Sequence, residues 1–213
     1  MRLSYRTLRG EGVAEYEEKR SRFIGTAGPA ASETEAINFL AAVRQRYKDV
    51  SHHVFAYLCG EGGLVKRCSD AGEPQGTAGA PVLEVIEKSR LADVVIAVTR
   101  YYGGINLGAA GLIRSYGKTA SLAVGAAGIV EKSLARELVF LVEYPQYNTL
   151  RHMLEMSRHT ISQTLFGIDI EISVIVPHAE VDALCARARE ITAGAVVVEQ
   201  AGDVYIDVPP IES

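Results

Sequence analysis

The stretch 93–114, DVVIAVTRYYGGINLGAAGLIR, decides how the first half of the chain folds. Asp93–Thr99 is an unbroken apolar, β-branched run, the pattern of a strand buried on both faces. Gly103, Gly104, Gly108 and Gly111 then carry the chain into a long helix whose inward face is marked by Ile113, Tyr116, Ala120 and Val124. Its other face carries Arg114, Lys118 and Ser121, and Gly125 and Gly128 end it. Glycine permits positive φ and close approach of a ligand or backbone, and the first turn of a helix leaves N–H groups unpaired at its positive end. Arg100, the glycines and Arg114 therefore form an anion cradle, or the glycines serve tight strand–helix packing with Arg100 in a structural ion pair; both readings stand. Neither a Walker loop nor dinucleotide-binding spacing is present. Tyr101 and Tyr102 either stack on bases or are half-buried packing residues with a wet hydroxyl.

Upstream, Val13–Tyr16 and Arg22–Thr26 read as short strands, and Ser32 with Glu35 has capping-box spacing for a helix reaching about Tyr47. His53–Cys59 and Leu64–Cys68, separated by Gly60-Glu61-Gly62-Gly63, read as a hairpin. From Pro81 the spacing of Val82, Val85 and Ile86 predicts a helix with proline in its first turn. Between them lies a second cluster, SDAGEPQGTAGAP (69–81). Asp70 and Glu73 with His52 or His53 could supply acid–base or metal chemistry, but neighbouring strand residues point to opposite faces, so one histidine at most can join. The structural alternative gives Asp70 and Glu73 to turn hydrogen bonds beside Gly76, and Thr77 to a helix cap.

The second half predicts a strand at Leu138–Val142, then a helix after Pro145 with Tyr147, Leu150 and Leu154 inward. Ile161–Leu165 and the alternating Ile168, Ile170, Ile172, Val174 and Val176 predict two strands. A helix presenting Val181, Leu184, Cys185, Ala188 and Ile191 follows, then strands at Ala195–Glu199 and Val204–Val208. The order βαββαβ is that of a ferredoxin-like domain, and the chain as a whole reads as α+β, two-layer. The expected division is 1–136 and 137–213, with the junction in Gly128–Arg136.

The 213 residues, 48% apolar and 23% charged, have globular composition. No apolar run is long enough for a membrane span, and none has the features of an export signal. Cys59, Cys68 and Cys185 fit no zinc or redox spacing and read as buried free thiols in a reducing, cytoplasmic compartment. The net charge of -4 hides an asymmetry: residues 1–136 hold 18 Lys and Arg against 14 Asp and Glu, and residues 137–213 hold 4 against 12. A basic half can meet phosphates while an acidic half keeps the molecule soluble or faces another partner. No nucleophile–base spacing appears, so no catalytic residue, metal or cofactor is assigned.

Several motifs in order resemble the IMPACT family, whose bacterial members are of the YigZ type: KRSRF (19–23), HHVFAY (52–57), DAGEP (70–74), GTAGAP (76–81), and RYYGGINLG (100–108) with Gly111 and Arg114. The resemblance implies a first domain sharing the βαβ-containing fold of elongation factor G and a small-subunit ribosomal protein, and a second domain similar to another elongation-factor module. Eukaryotic members are implicated in translation control under amino-acid stress through a ribosome-associated partner, using an amino-terminal interaction domain that has no counterpart in these residues. The resemblance thus turns the glycine loop toward an RNA or ribosomal surface, with Arg100, Tyr101, Tyr102, Gly103, Gly104, Gly108, Gly111, Arg114 and Lys118 as binding residues. It leaves open a protein partner in translation control. The runner-up is a hydrolase or peptidase, a label attached to some relatives, using His52 or His53 with Asp70 and Glu73. A third reading is a protein-interaction module working through the acidic second domain.

Overall fold

The protein is α+β, and a computed structural model describes residues 2–60 and 64–208. It divides into a unit reaching Glu131 and a second running from Lys132 to Asp207. The first contains β1 (Ser4–Leu8), β2 (Gly12–Glu18), β3 (Ser21–Pro29), α1 (Glu33–Arg46), β4 (His52–Cys59), β5 (Val65–Ser69), α2 (Gly79–Lys88), β6 (Val94–Tyr101) and α3 (Gly108–Ala127).

Five of these strands form a sheet in the order β2-β3-β6-β4-β5, each neighbouring pair antiparallel. The central position of β6 explains its unbroken apolar run, since both of its faces are covered. Val94, Ile96 and Val98 pack with Val82 and Ile86 of α2 and Leu112, Tyr116 and Ala120 of α3. Val95 and Ala97 face the other way, onto Ala36, Leu40 and Val43 of α1. Each fully buried Val, Leu or Ile side chain among them contributes roughly 1.5–3 kcal/mol.

α1 begins at the predicted cap, with Ser32 Oγ accepting from Glu35 N at 3.2 Å, while the Glu35 carboxylate reaches past the cap and accepts from Ala31 N at 2.9 Å instead of Ser32 N. β4 and β5 pair as the hairpin pattern predicts, and the turn expected at 61–63 lies outside the described residues. Gly125 does not end α3: it is helical, and Gly128 takes the C-cap alone. Cys59 and Cys185 are buried, but Cys68 is exposed because β5 is the sheet's edge strand.

Where an irregular junction is expected, the chain is instead one strand, β7 (Ile129–Val142). It is followed by α4 (Tyr144–Met156), β8 (Thr160–Phe166), β9 (Ile170–Pro177), α5 (Val181–Ile191) and β10 (Val197–Val208). The two strands expected after α5 are thus a single long one. β9 lies between β7 and β8, and β10 pairs with β7, which gives the ferredoxin-like order β10-β7-β9-β8. Leu138, Phe140, Val142 and the four residues Ile170, Ile172, Val174 and Val176 bury one face against Leu150, Leu154, Leu184 and Ala188 of the two helices. Ile168, expected to extend that alternation, lies before β9 in the hairpin turn and is 98% exposed. No helix among the described residues is long and apolar enough to cross a membrane.

Candidate functional site

Strand register brings Phe23 of β3 and His52 of β4 opposite Arg100 of β6. Arg100 is 4% exposed. Its Nη1 donates to Oε1 of Glu73, which lies in the loop before α2, at 2.6 Å; the Tyr116 hydroxyl of α3 donates to the same oxygen at 2.7 Å. Nη2 of Arg100 donates to Ser21 Oγ at 3.2 Å, and the guanidinium lies 5.4 Å from the Phe23 ring centroid and 5.3 Å from that of Tyr102. A buried ion pair is tolerated only when further hydrogen bonds replace lost hydration; Tyr116 and Ser21 supply two, while Nε of Arg100 is buried without a partner among the described residues. Burial, and then the hydrogen bond to Glu73, push the Tyr116 phenol far above its ordinary value, so it remains a donor. His52 Nε2 lies 3.9 Å from Glu73 Oε1, and its Nδ1 is 2.9 Å from Ala71 O.

The glycine loop sits on this cluster. Ser21 Oγ accepts from Gly103 N at 3.3 Å, and Ser51 Oγ accepts from Tyr102 N at 3.3 Å. A Cβ on Gly103 would fall 2.1 Å from the Arg20 carbonyl, so only glycine lets the loop lie against the β2–β3 turn. That turn is itself unusual, since Lys19 and Arg20 both have positive φ, 46° and 64°. Gly104 and Gly108 have φ of 81° and 70°, and Leu107 anchors the loop's end in the core at 9% exposure.

α3 starts with no side-chain cap and no acidic residue in its first turn. Gly111 is buried against Leu107, whereas Arg114 and Lys118 are exposed on the helix one turn apart. Lys19, Arg20, Arg114 and Lys118 have no ion-pair partner among the described residues. Tyr101 is half-buried, its hydroxyl donating to Lys48 O at 3.3 Å, and Tyr102 is 52% exposed.

The second cluster does not assemble as an acid–base or metal triad. Asp70 is an anchor for the start of α2: Oδ1 accepts from Ala78 N at 3.0 Å and Gly79 N at 2.8 Å, and Oδ2 accepts from Gly76 N at 2.9 Å. Burial pushes the Asp70 carboxyl up, but these three donors outweigh it and hold it below the usual carboxylate range. Thr77, expected as the cap, instead donates from Oγ1 to Pro74 O at 2.7 Å, because the more distant Asp70 already occupies the helix N–H groups. His53 points to the opposite face of the sheet, where its Nδ1 is 3.1 Å from Thr99 Oγ1; burial and then Arg44 lower its pKa. Among the described residues no group of three metal-ligating side chains is present.

The structure therefore joins His52 and Glu73 to each other and leaves Asp70 and His53 elsewhere. Arg100, expected on the binding surface, is withdrawn into a structural ion pair, while Arg114 and Lys118 remain available. Ser21, Tyr116, Lys19 and Arg20 were missed as site residues. The signal for the last two lay in KRSRF, a motif whose neighbourhood to the loop depends on β3 pairing with β6.

The Impact N-terminal domain model matches residues 19–124, and a domain of unknown function, DUF1949, matches residues 141–195. The chain is 33% identical to the IMPACT family member YvyE of Bacillus subtilis, covering 96% of this chain and 94% of the relative. It is 35% identical to an IMPACT family member of Thermus thermophilus over 85% of this chain and 98% of the relative. It is 30% identical to YigZ of Escherichia coli over 84% of this chain and 89% of the relative. A solved structure described as a hypothetical protein superposes with a TM-score of 0.61 at 27% identity, covering 93% of this chain and 97% of that one. The motifs in and around the glycine loop lie within the first matched region, and the chain belongs to the IMPACT family.

Proposed function

We propose that the protein is a non-enzymatic binding protein whose first unit holds structured RNA, in a ribosomal context, through its phosphates. One observation carries the reading: four exposed cations without ion-pair partners among the described residues, Lys19, Arg20, Arg114 and Lys118, accompany the glycine loop and the uncapped start of α3. The backbone N–H groups near Gly104 and Gly108 add neutral donors, and Tyr102 adds an exposed ring for a base. The buried Glu73–Arg100–Tyr116 cluster holds this surface in shape and does not contact the ligand.

Phosphate contacts fix position without reading sequence, so binding is weakly sequence-selective and falls steeply with salt. Association with RNA and with ribosomes, measured across a salt series, tests it. Replacing Arg114 and Lys118 together by alanine is expected to flatten the salt slope by roughly two units, about one for each lost contact. Equal affinities and slopes would remove these residues from the site, and no association at low salt would sink the nucleic-acid reading.

A further inference from the structure

The β8–β9 hairpin of the second unit ends in Phe166, Gly167 and Ile168, and here large apolar side chains face solvent. Ile168 is 98% exposed, Phe166 61%, and Tyr144 at the start of α4 55%. The group is held in place: the Tyr144 hydroxyl donates to Gly167 O at 3.1 Å, and the Phe166 ring meets Tyr147 edge-on at 5.4 Å between centroids. At the same end of the sheet, where Val142 pairs with Ile170, lies a cavity of about 250 Å³. Leu141, Val142, Ala195 and Val197 make its apolar walls, and Glu143 and Asp169 supply two carboxylates. Neither carboxylate has an ion-pair partner among the described residues.

A lone exposed apolar residue needs no explanation, but a fixed group beside a cavity marks a docking surface. Its charge selects the occupant. Glu143 and Asp169 repel phosphates and acidic chains, whereas the aliphatic stem of an arginine or lysine fits apolar walls with its head against carboxylates. The half of the chain carrying the patch, residues 137–213, has 4 basic against 12 acidic residues, which attracts a basic partner from a distance.

We propose that this end of the second unit docks a basic segment of a partner protein, one Arg or Lys side chain entering the cavity beside Glu143 and Asp169 while flanking aliphatic residues cover Phe166 and Ile168. The proposal is independent of RNA binding by the first unit. A short synthetic peptide alternating arginine and leucine, and its counterpart alternating glutamate and leucine, serve as probes against the full chain, followed by peptide fluorescence anisotropy and backbone amide shifts. The basic peptide is expected to bind and to move the signals of Glu143 and Phe166 to Asp169. Binding should weaken about tenfold or more in Glu143→Gln/Asp169→Asn, and separately in Ile168→Ser, with thermal midpoints unchanged. Equal binding of the acidic peptide, equal affinity of the double variant, or shifts located elsewhere would overturn it. So would a concentration-dependent dimer abolished by Ile168→Ser, which would make a second copy of this chain the occupant.

Discussion

Glu73 Oε1 accepts a hydrogen bond from Arg100 Nη1 at 2.6 Å, with the two side chains 4% and 5% exposed. Because the pair is desolvated, removing one partner strands the other. Arg100→Ala is expected to cost about 3–5 kcal/mol in chemical denaturation, and the apolar double variant Glu73→Leu/Arg100→Met less than the sum of the two single losses. Additive losses would show that the two side chains act separately.

Asp70 holds the start of α2 through three backbone donors, and its carboxyl lies below the ordinary range in the fold. A depressed carboxyl contributes stability above its unfolded pKa, about 3.9, and loses it as pH falls through the folded value. Asp70→Ala should cost about 2–3 kcal/mol at neutral pH and leave the variant less sensitive to acid below about pH 4. Urea midpoints of both proteins as a function of pH provide the check.

Gly103 lets the loop pass the Arg20 backbone, where a Cβ would sit 2.1 Å from the carbonyl. Gly103→Ala should destabilise by about 1–3 kcal/mol and shift the amide signals of 19–22 and 102–104, while Gly104→Ala is strained only by its positive φ of 81°. If Gly103→Ala left those signals in place, the close approach would not be what glycine is there for.

Two phenols of the first unit contribute to the response to alkali. Burial, followed by its hydrogen bond to Glu33, pushes Tyr57 up to about 12, and Tyr116 is raised by burial and by Glu73. A raised folded value gives stability that is complete below the unfolded pKa near 10 and is lost as pH rises through the folded one. The thermal midpoint should therefore decline above about pH 10, and Tyr57→Phe should flatten the decline up to about pH 12 even though it gives up the bond to Glu33.

Where burial has a period, the sequence is explicit: β6 reads as buried on both faces, β9 alternates from Ile170 to Val176, and Ser32 caps α1 as its spacing with Glu35 requires. The same rule misleads at Ile168, because alternation continues past the strand's end and nothing local says that the chain has already turned. The alternating segments of β10 read as two strands because its middle, Gln200 to Asp203, is polar and glycine-containing.

Local sequence determined most of the elements, though neither β1 nor the first part of β7, together with the α+β class and the candidates; what each candidate does was decided by partners far along the chain. Arg100 and Glu73 are 27 residues apart, and Tyr116 and Glu73 are 43 apart. No spacing rule reaches that far, so whether Arg100 faced a ligand or an ion pair rested on β6 lying between β3 and β4 with α3 laid across them. Asp70 likewise reads as a catalytic or turn residue until the fold brings three N–H groups onto its carboxylate. Side-chain chemistry is written in the sequence, but burial and charge pairing arise only when distant segments close on one another, and these separate a buried structural arginine from the exposed cations beside it.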